Sequence, residues 1–311
     1  MPTQTTSTVL MVRPANFGFN PETAANNFYQ QNDDRDSQEI NKIAQKEFDG
    51  FVSLLEKNGI NTIVVQDSAE PKKPDAIFPN NWFSTHEDGK VIIYPMFSPN
   101  RRLERRKDII EKLIQTGYQV NEIIDLGFFE EDEQFLEGTG SMILDRVNKI
   151  AYACRSLRTH QVPLQYFGRL CGYEIIDFEA SQTINDISTP IYHTNVMMHV
   201  GSEIAIVCLD SIANTSERLA LHSKFENSGK KTIPITIKQK FNFAGNMLEV
   251  HNRQGQKITI MSKTAFDSLN KSQKETISKH TQIITPNIPT IEKLGGGSVR
   301  CMMAEIFLHR D

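Results

Sequence analysis

No Cys-x-x-C pair occurs in this 311-residue sequence, and its four cysteines stand far apart at positions 154, 171, 208 and 301. That spacing excludes the common zinc and dithiol-redox motifs and gives no disulfide framework. No apolar run is long enough to cross a membrane. The first ten residues, MPTQTTSTVL, lack the charged and apolar blocks of a secretory signal. An excess of one charge is missing too: 34 Lys and Arg face 38 Asp and Glu, a formal net charge of −4. Such a chain has no electrostatic footprint for nucleic acid or an anionic membrane, which leaves a small molecule as the expected partner. The missing export signal implies reduced thiols in a cytoplasmic setting, and whether copies form a homo-oligomer stays open. The one dense basic run, RRLERR at 101–106, reads as the exposed face of a helix start with no functional weight.

What the sequence does have is a period. Glycines that close helix-like segments recur at Gly59, Gly117, Gly172 and Gly229, with gaps of 58, 55 and 57 residues. Each follows an apolar stripe at three- and four-residue spacing, as with Ile40, Ile43, Phe51, Leu54 and Leu55 before the first. A strand candidate follows each glycine: TIVVQD, YQVNEIIDL, YEIIDFE and TIPITIKQ, with a fifth, TQIITPN, after a helix expected over 264–280. Before each later helix lie two short strands around a polar turn, as in NWFSTHEDGKVIIYPM. The chain therefore reads as five β-β-α-β units, the fifth split so that the strand after Cys301 pairs with STVLMVRP near the N-terminus. Arranged in a ring about a pseudo-fivefold axis, the units share one core, so residues 1–311 are expected to form a single α/β domain.

Lining up the start of each first strand gives Asn80, Glu137, His193, Asn246 and Cys301, spaced by 57, 56, 53 and 55 residues. In such a ring these positions converge at one end of the axis. Cys154, Cys171 and Cys208 sit in apolar surroundings and read as small buried hydrophobes. Cys301 instead follows three glycines, in KLGGGSVRCMMAEIF, which let backbone pass close to a ligand. A thiol attacks only when ionised or served by a base, and His193 is suited to moving that proton. Glu137 is placed to orient the histidine or to hold N–H groups. His199 lies six residues after His193, but no third ligand has suitable spacing, and neither a metal nor another cofactor is expected.

The set resembles the guanidino-group-modifying superfamily of pentein fold, which includes arginine deiminases, dimethylarginine hydrolases and amidinotransferases. LEGTGS at 136–141 is similar to a Glu-Gly-Gly-Asp motif, YHTN at 192–195 to the segment with the catalytic histidine, and GGGSVRCM at 295–302 to the segment with the nucleophile. CRSLRTH at 154–160 resembles a Ser-x-Arg-Thr motif whose arginine, here Arg158, contacts a substrate carboxylate. The resemblance implies a cysteine hydrolase with Cys301 as nucleophile, His193 as proton carrier and Glu137 as substrate-binding acid. DAIFPNNWF at 75–83 resembles the segment whose acids clamp a guanidinium; Asp75 matches one, while Asn80 and Asn81 replace others. FPNNW also resembles the citrulline-utilisation branch. Amides in place of acids suit a neutral ureido group better than a cation, so citrulline is the expected substrate. The alternatives are an arginine deiminase, an amidinotransferase or a non-catalytic binding protein of this fold. The N-terminal stretch RPANFGFNPETAANNF reads as a loop placed to cover the site.

Overall fold

The computed structural model describes residues 3–310, and the fold is mixed α/β. In the first unit β1 (Thr8–Arg13) and β2 (Asn61–Gln66) run parallel, with Leu10 opposite Ile63. The second holds β3 (Phe83–Thr85), β4 (Lys90–Ile93) and β5 (Glu122–Asp125), and the third β6 (Ile143–Asp145), β7 (Ile150–Cys154) and β8 (Glu174–Phe178). A hairpin of β9 (Ser181–Ile184) and β10 (Ile187–Pro190) then intervenes, which the repeat did not anticipate. The fourth unit is β11 (Met198–Val200), β12 (Ile204–Val207) and β13 (Lys231–Pro234), and the fifth β14 (Leu248–His251), β15 (Lys257–Ile260) and β16 (Gln282–Ile284). In these four units the first two strands are antiparallel and the third returns parallel to the second. Finally β17 (Ala304–Glu305) pairs antiparallel with β1 and completes that sheet.

The long helix Ser37–Lys57 shows why the connections fold as they do. Asp36 caps it by accepting from the N–H groups of Gln38 and Glu39. It buries Ile40, Ala44, Phe48, Phe51 and Leu55, one stripe at helical spacing, and ends where Gly59 turns left-handed at φ +79°. Gly117, Gly172 and Gly229 have φ of +90°, +70° and +74°, so the glycine period marks a real geometric repeat. Two sequence expectations fail locally. The helix expected over 264–280 is two helices, Lys263–Ser268 and Lys271–Ser278, because Asn270 accepts from Gln273 and opens a second capping box. The strand TIPITIKQ stops at Pro234, and Thr236 caps a helix over Ile237–Phe241.

Among the described residues no helix is long and apolar enough to cross a membrane. The four cysteines are free; Cys154 and Cys208 are buried in the core, whereas Cys171 is half-buried.

Candidate active site

Cys301 lies in a turn three residues before β17, not at the start of a strand. The helix Pro289–Gly295 delivers it through the three glycines. Gly296 turns left-handed at φ +61°, and a Cβ there would meet Asn27 and Gln30 at 2.6 Å. At Gly295 and Gly297 a Cβ would meet the Phe78 ring at 2.7 and 3.0 Å. So the glycines admit the protein's own Phe78 and Asn27 against the thiol segment; the close neighbour is protein. The sulfur accepts two side-chain N–H groups, from Asn195 Nδ2 at 3.3 Å and Asn246 Nδ2 at 3.4 Å. Asn246 is fixed in turn, its Oδ1 accepting from the Arg300 N–H at 3.0 Å and its Nδ2 donating to the Asn195 carbonyl at 3.1 Å.

Asn195 was absent from the sequence reading, yet a signal existed. Asn80, Asn195 and Cys301 each stand three residues before their strand, whereas Glu137 and His193 stand six and five before theirs. Aligning by strand start alone merged two tiers. The three-residue tier holds Cys301 and its donor Asn195, together with Asn80, which turns to Thr139; the other supplies the acid–base pair, and Asn246, two residues before its strand, belongs to neither.

That pair is direct: His193 Nε2 lies 2.8 Å from Glu137 Oε2. Glu137 precedes the short helix Gly138–Ser141, and its N–H donates to Ser141 Oγ at 2.9 Å. Thr194 Oγ1 donates to the Ser141 carbonyl at 2.6 Å, which ties the histidine segment to the glutamate segment. Both side chains are buried. Burial works to raise the Glu137 carboxyl, but Arg158, the His193 hydrogen bond and Arg101 outweigh it and hold the group well below the ordinary carboxylate range. Burial pushes His193 below its ordinary range, and Glu137 only partly opposes it. At neutral pH the pair is a carboxylate and a neutral imidazole. Because Glu137 can only accept, Nε2 carries the proton and Nδ1 keeps a lone pair.

Arg158 reaches the same carboxylate, with Nη1 3.4 Å from Glu137 Oε2. Its Nε donates to Asn26 Oδ1 at 2.9 Å and its Nη2 to the Thr23 carbonyl at 3.0 Å, so it also fastens the N-terminal loop. Asp75 anchors that loop from the other side: its Oδ2 accepts from Asn20 Nδ2 at 2.7 Å and Thr23 Oγ1 at 3.1 Å, while its Oδ1 has no partner. The two asparagines of FPNNW diverge. Asn80 Nδ2 donates to Thr139 Oγ1 at 3.3 Å, whereas Asn81 lines the cavity.

The cavity brings together Asp75, Asn81, Arg101, Arg158, His193 and Cys301, with Thr23 and Asn27 of the loop above. Its volume is about 10 Å³, room for one water at most. RRLERR is the clearest misreading. Arg101 is 3% exposed and Glu104 2%; Arg101 faces the cavity and grips Glu104 through two 2.9 Å hydrogen bonds. No periodicity marks this inward turn, because the helix Pro99–Arg102 is a single turn. Of the other predicted positions, His199 faces away from this group, with Nε2 unpartnered beside Glu249. Among the described residues no three His, Cys, Asp or Glu are placed to hold a metal ion. Chemically, the arrangement offers a thiol with two amide donors, a neutral base braced by a carboxylate, and a clamp of mixed charge.

The family described as N,N dimethylarginine dimethylhydrolase, eukaryotic, matches residues 13–308. No curated protein sequence matches the chain. Among solved structures, it resembles the substrate-bound N-terminal domain of a mutant of ArgZ, an arginine dihydrolase of the ornithine–ammonia cycle in cyanobacteria. The TM-score is 0.71 at 14% identity, over 96% of this chain and 97% of that one. AgrE in complex with ornithine and NAD+ gives 0.72 at 17% identity, over 98% of this chain, which spans 40% of AgrE. A mutant of DDAH from Pseudomonas aeruginosa complexed with citrulline gives 0.66 at 12%, over 97% of this chain and all of that one.

Proposed function

The chain belongs to the N,N-dimethylarginine dimethylhydrolase family, within the pentein superfamily of guanidino-group-modifying enzymes, and on that footing we propose that it is a cysteine hydrolase of a ureido amino acid, citrulline. The observation that carries the proposal is the meeting of a doubly hydrogen-bonded Cys301 with the His193–Glu137 pair around one cavity. Asp75 and Asn81 hold the head group, Arg158 takes the α-carboxylate, and Asn80 and Asn246 brace Thr139 and the sulfur. On this reading the described residues 3–310 form one catalytic domain, its five units ringed about a pseudo-fivefold axis. The loop over 20–30 withdraws to admit substrate.

His193 takes the thiol proton as sulfur bonds to the ureido carbon and the C=O pair moves onto oxygen. When C=O re-forms, the terminal C–N bond breaks and ammonia leaves with the proton from His193. Water then attacks the thiocarbamate on Cys301, giving up a proton to His193. The C–S bond breaks, and the released carbamic acid yields ornithine and CO2. Citrulline and water enter; ornithine, CO2 and ammonia leave. No cofactor is required.

The family description favours a second reading, a guanidino substrate such as dimethylarginine handled by a hydrolase; turnover of arginine by a deiminase or amidinotransferase is the related alternative. A non-catalytic binding protein of this fold would have no use for Cys301, His193 and Glu137 together. The test is ammonia or amine release from citrulline, arginine, agmatine and dimethylarginine. Citrulline is expected to be turned over fastest. Faster turnover of arginine or dimethylarginine overturns the ureido reading in favour of the second.

A further inference from the structure

We propose that Glu292 is a positioning residue for the nucleophile: through Ser298 it clamps the glycine-rich turn that presents Cys301 to its two amide donors. The proposal takes the role of Cys301 from the hydrolase reading above; the contacts stand without it. Glu292 lies on the helix Pro289–Gly295 and is buried. Its Oε1 accepts from Ser298 Oγ and its Oε2 from Thr264 Oγ1, both at 2.6 Å. A third hydroxyl, on Ser262, bonds the same group. Burial pushes the carboxyl above its ordinary range, and the three hydroxyls only partly oppose it. A buried acid held by hydroxyls alone is a costly way to fill a core, and the place of Ser298 in the chain gives it a use.

Gly295, Gly296 and Gly297 have no side chains with which to anchor themselves, and glycine backbone is the most costly to order. Two groups hold their carbonyls. Asn27 Nδ2 donates to Gly295 and Gly296 at 3.4 and 3.3 Å, and Tyr192 Oη donates to Gly296 at 2.8 Å. Asn27 belongs to the loop that withdraws to admit substrate, so its grip is lost when the site opens. Ser298 is the first side chain past the glycines. Its carbonyl accepts from the Cys301 N–H at 2.9 Å, which closes the turn carrying the sulfur. The Arg300 N–H that fixes Asn246 lies in the same turn.

The clamp is anchored in the core, away from the loop. Glu47, on the helix Ser37–Lys57, accepts from the N–H groups of Thr290 and Ile291 at 3.0 Å and so ties down the start of the helix that carries Glu292. Thr264, on the helix Lys263–Ser268, holds the far oxygen of the Glu292 carboxylate. Fixing Ser298 Oγ from this frame fixes the turn, and with it the approaches of Asn195 and Asn246 to the sulfur at 3.3 and 3.4 Å. A shift of about 1 Å at a reacting atom costs on the order of 100-fold in rate. Three flexible residues before a nucleophile therefore call for a rigid hold directly after them, and Glu292 supplies it.

The test compares Ser298→Ala with Thr264→Val in kcat and KM for citrulline and in the rate at which iodoacetamide alkylates Cys301, read by peptide mapping. Each substitution leaves one oxygen of the same carboxylate unpaired, so an acid with a purely structural role would respond alike to both. Ser298→Ala is expected to lower kcat at least tenfold and to slow alkylation at least fivefold, with KM within threefold. Thr264→Val should leave both rates within twofold, whatever it does to stability. Glu292→Gln still offers an acceptor to Ser298, and its amide can donate to Thr264 Oγ1, so its kcat should stay within threefold. Glu292→Ala should match Ser298→Ala, and the two combined should lose nothing further, since both remove one contact; should Glu292→Ala not fold, the other three variants decide. Unchanged rates in Ser298→Ala, equal losses in Thr264→Val, or a loss in Glu292→Gln as large as in Ser298→Ala overturns the proposal. The hydrolase reading fails separately, when the wild type releases no ammonia from citrulline, and the alkylation rates then still decide the clamp.

Discussion

The side-chain nitrogen of Asn195 lies 3.3 Å from the sulfur of Cys301, and Asn246 approaches the same sulfur at 3.4 Å. Two amide donors fix the buried sulfur in place and point N–H groups at it as it attacks. Asn195→Ala is expected to slow alkylation of Cys301 by iodoacetamide and turnover alike, by about 10- to 100-fold, the scale of losing one fixed donor. Peptide mapping checks it, with the half-buried Cys171 as internal control. Equal alkylation rates in the two proteins would contradict the role.

Glu137 serves three partners at once: His193 at 2.8 Å, Arg158 at 3.4 Å and Arg101 at 3.8 Å. Glu137→Gln strands buried positive charge and should lower stability by about 3 kcal/mol. It also removes the carboxylate that holds the histidine tautomer, and kcat should fall by about 10³ or more. Adding Arg158→Met should restore part of the stability in denaturant melts while leaving kcat low.

His199 gives a pH prediction. Burial first, and Arg300 second, push it down to about 3. In the unfolded chain it titrates near 6.5. Between those values the unfolded state binds one more proton than the native state, so stability is lost as pH falls from about 6.5 towards 3. His199→Gln removes that linkage. Its unfolding free energy should fall less steeply on acidification than the wild type's, by about 1.4 kcal/mol per pH unit, as read from urea melts at pH 7, 6 and 5. Parallel slopes would show that His199 is not neutral in the native protein.

Gly140 is packed against the site, since a Cβ there would lie 2.3 Å from Asn81 Nδ2 and 2.9 Å from His193. Gly140→Ala should therefore fold, displace the Asn81 amide and raise KM for citrulline by at least tenfold. A KM within twofold of the wild type's would remove Asn81 from the head-group site.

The repeat was legible because it is written twice, in glycines that turn left-handed at helix ends and in strand pairs at a period near 56 residues. Cys301, His193, Glu137, Asp75, Asn81 and Arg158 were found from that register and the family motifs, and all of them line one cavity or touch its lining. The fine register was harder. Asn195 follows His193 by two residues, and only strand starts show that it, not His193, shares the offset of Cys301. Arg101 was missed for a physical reason: a one-turn helix has no periodicity from which burial can be read, and an arginine in a basic run looks solvated until its bidentate partner is seen in space. The split of 264–280 into two helices turned on a single capping asparagine.

The account stands or falls on a covalent intermediate at Cys301. The wild-type protein is to be mixed with citrulline, quenched in acid during turnover and mapped by peptide mass spectrometry. The expected result is a thiocarbamate adduct, the mass of citrulline less ammonia, on the peptide carrying Cys301. No adduct at all, or an adduct on Cys154, Cys171 or Cys208, would contradict it.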